Sequence, residues 1–397
     1  MREFSLLKTV CIVLVFCAAA VIAAPAQNVF FTTLANFGAA PTYGAGAGSF
    51  SSLIQASDGD FYGTSYYGGA SKSCPIPYGC GTVFKVTAAG TLATLHRFSG
   101  GVDGALPSAR LVQATDGNFY GTTSGGGTYG YGVVFKITPA GTLTILHSFD
   151  DNDGAQPSAG LVQAADGNFY GTTPYDAIHG GGTVFKITPS GALTTLHSFD
   201  DNDGWQPYAG LIQTADGNFY GTTIGGGTYY YGTVFEITPG GALTTLHSFD
   251  GTDGYQPWAA LVQATDGNFY GTTAHGGGSD NCYYGGVAGC GTVFKITPSG
   301  TLTTLHSFDG GDGEEPSGLV QATDGNFYGT TPFGGANDDG TVFKITPAGT
   351  LTTLHSFDSW GGTGAGLVQA TDGRFYGATT AGGALNDGTV FSLLAPR

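Results

Sequence analysis

D-G-N-F-Y-G-T from Asp166 to Thr172 is followed, after a short loop, by G-T-V-F-K-I-T-P-S-G-A-L-T-T-L-H-S-F-D from Gly182 to Asp200. The chain repeats this pair of phrases, with copies opening at Asp58, Asp116, Asp166, Asp216, Asp266, Asp324 and Asp372. A period of roughly 50 residues is the mark of a propeller or a solenoid. Within the quoted copy, Leu161-Val162-Gln163-Ala164 reads as a first strand. Asp166-Gly167 supplies the positive-φ pair of a tight turn, and Asn168 to Thr172 returns antiparallel. A variable loop leads to a third strand, Thr183 to Thr188, and a turn at Pro189-Ser190-Gly191 leads to a fourth, Leu193 to Phe199. In the third strand Val184 points to one side while Phe185 and Ile187 point to the other, so both faces of the sheet must be covered.

Radial stacking of four-stranded sheets covers both faces, because each blade shields its neighbour and only short edges remain. Seven equivalent phenylalanines, Phe84, Phe135, Phe185, Phe235, Phe294, Phe343 and Phe391, are the predicted core. The last repeat passes Phe391 and reaches Arg397 without a fourth strand, whereas Phe30 to Phe37 aligns with Thr142 to Phe149. The expectation is therefore an all-β, seven-bladed β-propeller with four-stranded blades, forming one domain over 27–397. The N-terminal strand closes the ring by completing the last blade.

Arg2 and Lys8, the apolar run Val10 to Ala23, and Ala24-Pro25-Ala26 read as a secretory signal peptide over 1–26. A secreted or periplasmic location follows, with no transmembrane segment. A formal charge of -17 repels phosphate backbones, so nucleic acid is not an expected partner. Glycine numbers 71 of 397 residues, yet 27 Phe and 21 Tyr recur in register, which separates this chain from disordered glycine-rich ones. A monomer is expected.

Four cysteines remain after the signal, Cys74 with Cys80 and Cys282 with Cys290, in the two enlarged repeats. Both pairs fall in the same inter-strand loop, and an exported protein favours disulfides there. Local pairing is expected, because blades one and five are not neighbours in a seven-membered ring.

The first-to-second and third-to-fourth turns are nearly invariant between repeats. The second-to-third loops and blade connections, which emerge on the opposite face, vary freely. Specialised chemistry is expected on that variable face. Its loops carry Tyr78, Tyr175, Tyr230, Tyr283 and Tyr284, and its connections carry Tyr43, Trp205, Tyr208, Tyr255, Trp258 and Trp360. Such rings suit stacking on sugars or contact with another surface, and alternatively plug the loops together. Six histidines, His96, His147, His197, His247, His306 and His355, recur at one fourth-strand position and read as structural, bonded to backbone or a neighbouring blade. His179 and His275 are isolated in variable loops and are the candidate general bases or metal ligands, with Asp176 and Asp280 as candidate acids. Glu314, Glu315, Asp338, Asp339 and Asp387 are further carboxylates on this face. Asp150-Asp151-Asn152-Asp153-Gly154 and its echoes have a calcium-loop flavour, but lack the full ligand spacing and closing Glu, so turn chemistry is the reading. No other cofactor or metal is expected.

The phrases [LI]-[VI]-Q-[AT]-x-D-G-[ND]-F-Y-G-T and G-T-V-F-K-[IV]-T-x-x-G-x-L-x-x-[LI]-H-[SR]-F resemble the GloVer tandem repeat. The resemblance implies a secreted, propeller-like bacterial protein with no settled activity. Some members carry a surface-anchoring tail, which is not expected after the last repeat here. The glycine doublets are also similar to kelch blades, which implies the same architecture. The leading expectation is an exported binding or scaffold propeller that engages carbohydrate or a cell-surface molecule. A polysaccharide lyase or glycoside hydrolase on the same face, and a purely structural ring, are the alternatives.

Overall fold

A computed structural model describes residues 29–38, 51–69, 74, 79–176, 178–358, 362, 364–384 and 386–395. The expected signal segment, Tyr43, Tyr78 and Trp360 lie outside them. The described chain forms seven four-stranded antiparallel sheets arranged as a β-propeller. Among the described residues no helix is long and apolar enough to cross a membrane. Blade 3 is built from Val162–Gln163, Phe169–Thr173, Thr183–Ile187 and Leu193–Ser198, in that order from the axis outward. The first strand is shorter than the sequence suggested. Ala164 leaves the ladder to close the turn, its N–H donating to the Asn168 carbonyl and its own carbonyl accepting from Gly167. Gly167 sits at φ 81°, as the tight turn requires.

The ring closes as expected. Phe30–Asn36 pairs antiparallel with Thr389–Leu394, with Phe31 opposite Leu393 and Ala35 opposite Val390. Tyr376 of blade 7 packs on Phe61 of blade 1 with centroids 4.1 Å apart, matching the Tyr120–Phe169 spacing between blades 2 and 3.

The apolar core lies between blades. Phe185 and Ile187 join Tyr120, Val134, Phe149 and Leu161 at the blade 2–3 junction, whereas Val184 joins Phe199, Leu211 and Phe235 at the next. All seven core phenylalanines are fully buried, each stabilising by on the order of 2 to 3 kcal/mol. Gly171 is required beneath Phe185, because a Cβ there would stand 2.7 Å from the ring and 2.8 Å from Leu161. Buried Thr172 sends its hydroxyl to the Ala209 carbonyl of the next blade, so a polar group inside the junction is satisfied.

The constant face owes its constancy to one network. Asp166 accepts from the Tyr170 hydroxyl, the Lys186 ammonium and the Asn168 side chain at 3.0, 3.0 and 2.8 Å. Partial burial opposes ionisation of Asp166, but the bonds from Asn168, Lys186 and Tyr170 outweigh it and hold the carboxyl well below its usual range. Across the blade boundary, the Gln163 side-chain oxygen accepts from Thr115 N–H at 2.9 Å. The same glutamine staple recurs at the ring closure, where Gln55 accepts from Thr371 at 2.8 Å.

Candidate functional site

On the opposite face, the connections into blades 2 to 6 each pair with the loop of the blade they enter through a short two-residue bridge. The bridged pairs are Ala105 with Gly125, Ala155 with Tyr175, Trp205 with Gly225, Tyr255 with His275, and Glu314 with Phe333. Tyr255 and His275 exchange backbone bonds of 2.8 and 3.0 Å. The next residue in each connection, Leu106, Gln156, Gln206, Gln256 or Glu315, takes φ of 56–59° before a proline. Its N–H bonds a carbonyl of the preceding blade, as Gln256 does to Tyr231 at 3.1 Å. That left-handed position is repeated, so it belongs to the architecture. The backbone is thus a fixed mount, and the side chains on it differ from blade to blade.

The mounts surround the mouth of a central channel of about 1500 Å³. On one side stands an aromatic wall. The hydroxyls of Tyr175 and Tyr208 share a hydrogen bond of 2.8 Å, and Tyr208 stacks on Trp258 with centroids 5.2 Å apart. Trp258 remains 47% exposed. Burial, reinforced by Tyr175, pushes the Tyr208 phenol up. Trp205, 41% exposed, is tethered by its indole N–H to the Gly180 carbonyl at 3.2 Å.

On the blade 5–6 side is a second cluster. His275 is 5% exposed and lies flat under Tyr284, with centroids 4.1 Å apart. Its Nε2 stands 3.9 Å from a Glu315 carboxylate oxygen, beyond hydrogen-bond reach. Burial pushes the His275 pKa down to about 4, so the imidazole is neutral near pH 7. Glu315 is pushed upward by burial and by Glu314, and Glu314 in turn by burial and by Asp338. Tyr231 packs edge-on to Tyr255 at 5.0 Å, completing the surround.

The cysteines pair locally, Cys74 with Cys80 and Cys282 with Cys290, with Cα atoms 5.5 and 5.0 Å apart. The second disulfide encloses a feature the sequence reading did not anticipate, a small hairpin of Tyr283–Tyr284 and Val287–Ala288. This hairpin carries Tyr284 onto His275, while Tyr283 is 74% exposed beside it.

The remaining candidates are scattered. His179 is exposed in blade 3, and no described contact joins it to His275. Asp176 is buried, accepts from the N–H groups of His179 and Gly180 at 3.2 and 2.8 Å, and leaves its other oxygen without a hydrogen-bond partner. Asp280 and Tyr230 are exposed on loop tips. Five of the repeated histidines, His96, His147, His197, His247 and His306, find a different partner from the one expected, an aspartate in the connection that leaves their blade, as in His147 Nε2 to Asp153 at 2.6 Å, whereas His355 stacks on Phe31 of the closing strand with centroids 4.2 Å apart. Asp153 also accepts from Asp150 N–H at 3.1 Å, and Asp150 from Asn152 N–H at 3.1 Å, which is turn chemistry. Among the described residues, no group of three or more His, Cys, Asp or Glu could hold a metal ion.

Compared with protein-family models, residues 73–284 and 281–396 match the Gloeobacter/Verrucomicrobia repeat. The chain belongs to this repeat family. No curated protein matches it. Solved structures that resemble this Gloeobacter/Verrucomicrobia repeat protein include a streptogramin B lyase, 14% identical with a TM-score of 0.59, covering 92% of this chain and 98% of that one. The virginiamycin B lyase from Staphylococcus aureus is 12% identical with a TM-score of 0.62, covering 93% and 99%. The periplasmic gluconolactonase of Pseudomonas aeruginosa is 16% identical with a TM-score of 0.51, covering 82% and 94%. At these identities the likeness is one of fold.

Two features of the site were missed in the sequence although repeat alignment marks them. One is the set of bridged mounts, which follow each Thr-Thr-x and each Asp-Gly or its equivalent. The other is Arg110, which lines the channel at a point where the other copies carry a small residue.

Proposed function

We propose that this protein is an exported binding propeller whose variable face engages carbohydrate through the Tyr175–Tyr208–Trp258 wall, aided by Trp205, Tyr230, Tyr255 and Tyr283. The observation that carries this reading is the half-exposed Trp258, held by Tyr208, which is itself hydrogen-bonded to Tyr175 at 2.8 Å. A ring fixed before ligand arrives loses little entropy on stacking against a sugar, and rigid aromatic surface at a cavity mouth suits such contact. Two disulfides are compatible with an oxidising compartment, and the N-terminal segment supports export. The test is a glycan array followed by calorimetry on the best ligand. Binding is expected, with Trp258→Ala weakening it roughly tenfold or more, the scale of a lost stacking contact. A native protein that retains no glycan would refute the reading.

A second reading, a polysaccharide lyase or glycoside hydrolase, is favoured by His275. A neutral imidazole beside a carboxyl of raised pKa is the pairing that general-base and general-acid steps need. Product release from polysaccharides that His275→Ala abolishes is the expected result for an enzyme, and an unsaturated product would identify a lyase.

A further inference from the structure

At the point two residues before the inner strand, six blades place Ser52, Gly160, Gly210, Ala260, Gly318 or Gly366 against the central channel. Blade 2 places Arg110 there. Among the described residues, Arg110 is the only cation that lines the channel, and no described carboxylate pairs with it. The contrast with the constant face is sharp, where Lys85, Lys136, Lys186, Lys295 and Lys344 each have an aspartate within 3.3 Å. We propose that Arg110 anchors a ligand bearing a single carboxylate, drawn into the central channel, and that this ligand is a hexuronate.

The chemistry selects the anion. A guanidinium presents parallel N–H donors that match the two oxygens of a carboxylate. A phosphate would need further donors or a second cation, and no other Lys or Arg is among the channel-lining residues. Glu315, Asp338 and Asp339 line the same channel from blade 6 and repel a multiply charged ligand. One negative charge on an otherwise neutral body satisfies both conditions. The small residues at the equivalent points leave the space in front of the guanidinium open. Channel water reaches the side chain, yet the enclosing ring desolvates it and pushes its pKa down, so a counter-charge at this point is stabilising. Tyr208 and Trp258 line the channel as well and offer faces for a sugar ring. The sugar body rests on the carbohydrate reading above, whereas the carboxylate contact does not.

The experiment uses the full chain with sodium D-galacturonate, its neutral methyl ester, sodium acetate and inorganic phosphate. Calorimetry reads affinity, and the Arg110 Nε–H resonance of labelled protein reads the contact itself. Galacturonate should bind at one site at least tenfold more tightly than the ester, the scale of a lost charge-assisted pair. Arg110→Ala should reduce galacturonate to the level of the ester. That variant carries the residue blade 5 already uses at this point, Ala260, so the ring is retained, as circular dichroism would show. Acetate should shift the Arg110 resonance saturably in native protein and in Trp258→Ala alike. If acetate does so while no sugar binds, the anchor stands and the sugar body falls, together with the aromatic-wall reading. Equal affinity for galacturonate and ester, an unaffected Arg110→Ala variant, no response of Arg110 to either carboxylate, or tighter binding of phosphate would each overturn the proposal.

Discussion

Closure of the ring by the N-terminal strand makes a quantitative prediction about Phe37. This residue follows the closing strand, is fully buried, and meets Phe84 of blade 1 edge-on with centroids 5.1 Å apart. Its N–H donates to the Gly388 carbonyl at 3.0 Å. Phe199, in the middle of the chain, does the same for blades 3 and 4, with Phe235 at 5.1 Å and the Gly182 carbonyl at 2.8 Å. In a closed ring the two positions are equivalent, although one is close to the chain terminus. Truncation to alanine removes the transfer energy of a buried ring and leaves a cavity, together about 3 to 5 kcal/mol. At a urea slope of about 3 kcal/mol/M, a loss of about 4 kcal/mol lowers the midpoint by roughly 1.3 M. Urea unfolding followed by far-UV circular dichroism should give Phe37→Ala and Phe199→Ala similar shifts. An open spiral would instead let the terminal strand fray with little effect. A Phe37→Ala midpoint within about 0.3 M of native, beside a full shift for Phe199→Ala, would refute circular closure.

Replacing Cys282 and Cys290 together by serine should leave the ring folded but free the hairpin over His275. The His275 pKa, read by NMR titration, should then rise from about 4 toward its ordinary value, and an unchanged value would show that the disulfide does not hold Tyr284 in place. Glu315→Gln should stabilise the protein at pH 7. The folded-state pKa of Glu315 is raised, so its charged form is penalised above that pKa and the penalty disappears as pH falls through it. The gain should therefore shrink toward zero in acid, and a gain independent of pH would assign it to packing instead. On the constant face the sign reverses. Asp324, held down to about 2 by its bonds from Asn326, Lys344 and Tyr328 against the opposing effect of burial, contributes stability that is full above the ordinary carboxylate range. That contribution is lost between about pH 4 and pH 2. Because these aspartates are partly exposed, Asp324→Asn should cost only about 0 to 1 kcal/mol at pH 7 and nothing below pH 2, a difference measurable in urea midpoints.

The fold was legible because its determinants are local and repeated. A D-G turn, a strand with large apolar groups on both faces, and a missing last strand matched by a spare first one leave few architectures available. The bounds of the inner strands were less legible. Ala164 looks like a strand residue by type, but its carbonyl is taken by the turn. The partner of the repeated histidines was misjudged for a related reason. Asp153 lies in a loop that reads as a variable connection, yet it belongs to the constant framework, since His306–Asp312 repeats the geometry at 2.7 Å.

The site was legible only by face, and the reason is physical. Reading the sequence for chemistry favours isolated histidines and acids, which grouped His179 with His275 although the structure places them apart. What brings side chains together is the mount. His275 and Tyr255 meet because two backbone bonds hold their loops side by side, while Glu315 reaches the same cluster from a connection in the next blade. In a repeat protein the framework supplies its own control, and a residue gains meaning by departing from its six equivalents. Lys136, Lys186 and Lys295 pair with their aspartates, but blade 4 has Glu236, which accepts from Asn218 at 2.6 Å instead. The glutamine staple is absent among the described residues at the junction of that blade with blade 5, where Gln263 is exposed. Blade 7 also lacks the lysine, with Ser392 opposite Tyr376, but keeps the staples through Gln369 and Gln55, so among the described residues the two departures coincide at one junction. It lies beneath blades 4 and 5, the blades whose connections carry Trp205, Tyr208, Tyr255 and Trp258. The framework thus relaxes where the opposite face concentrates its aromatic side chains, which is consistent with a ring whose stability is spread over the other junctions.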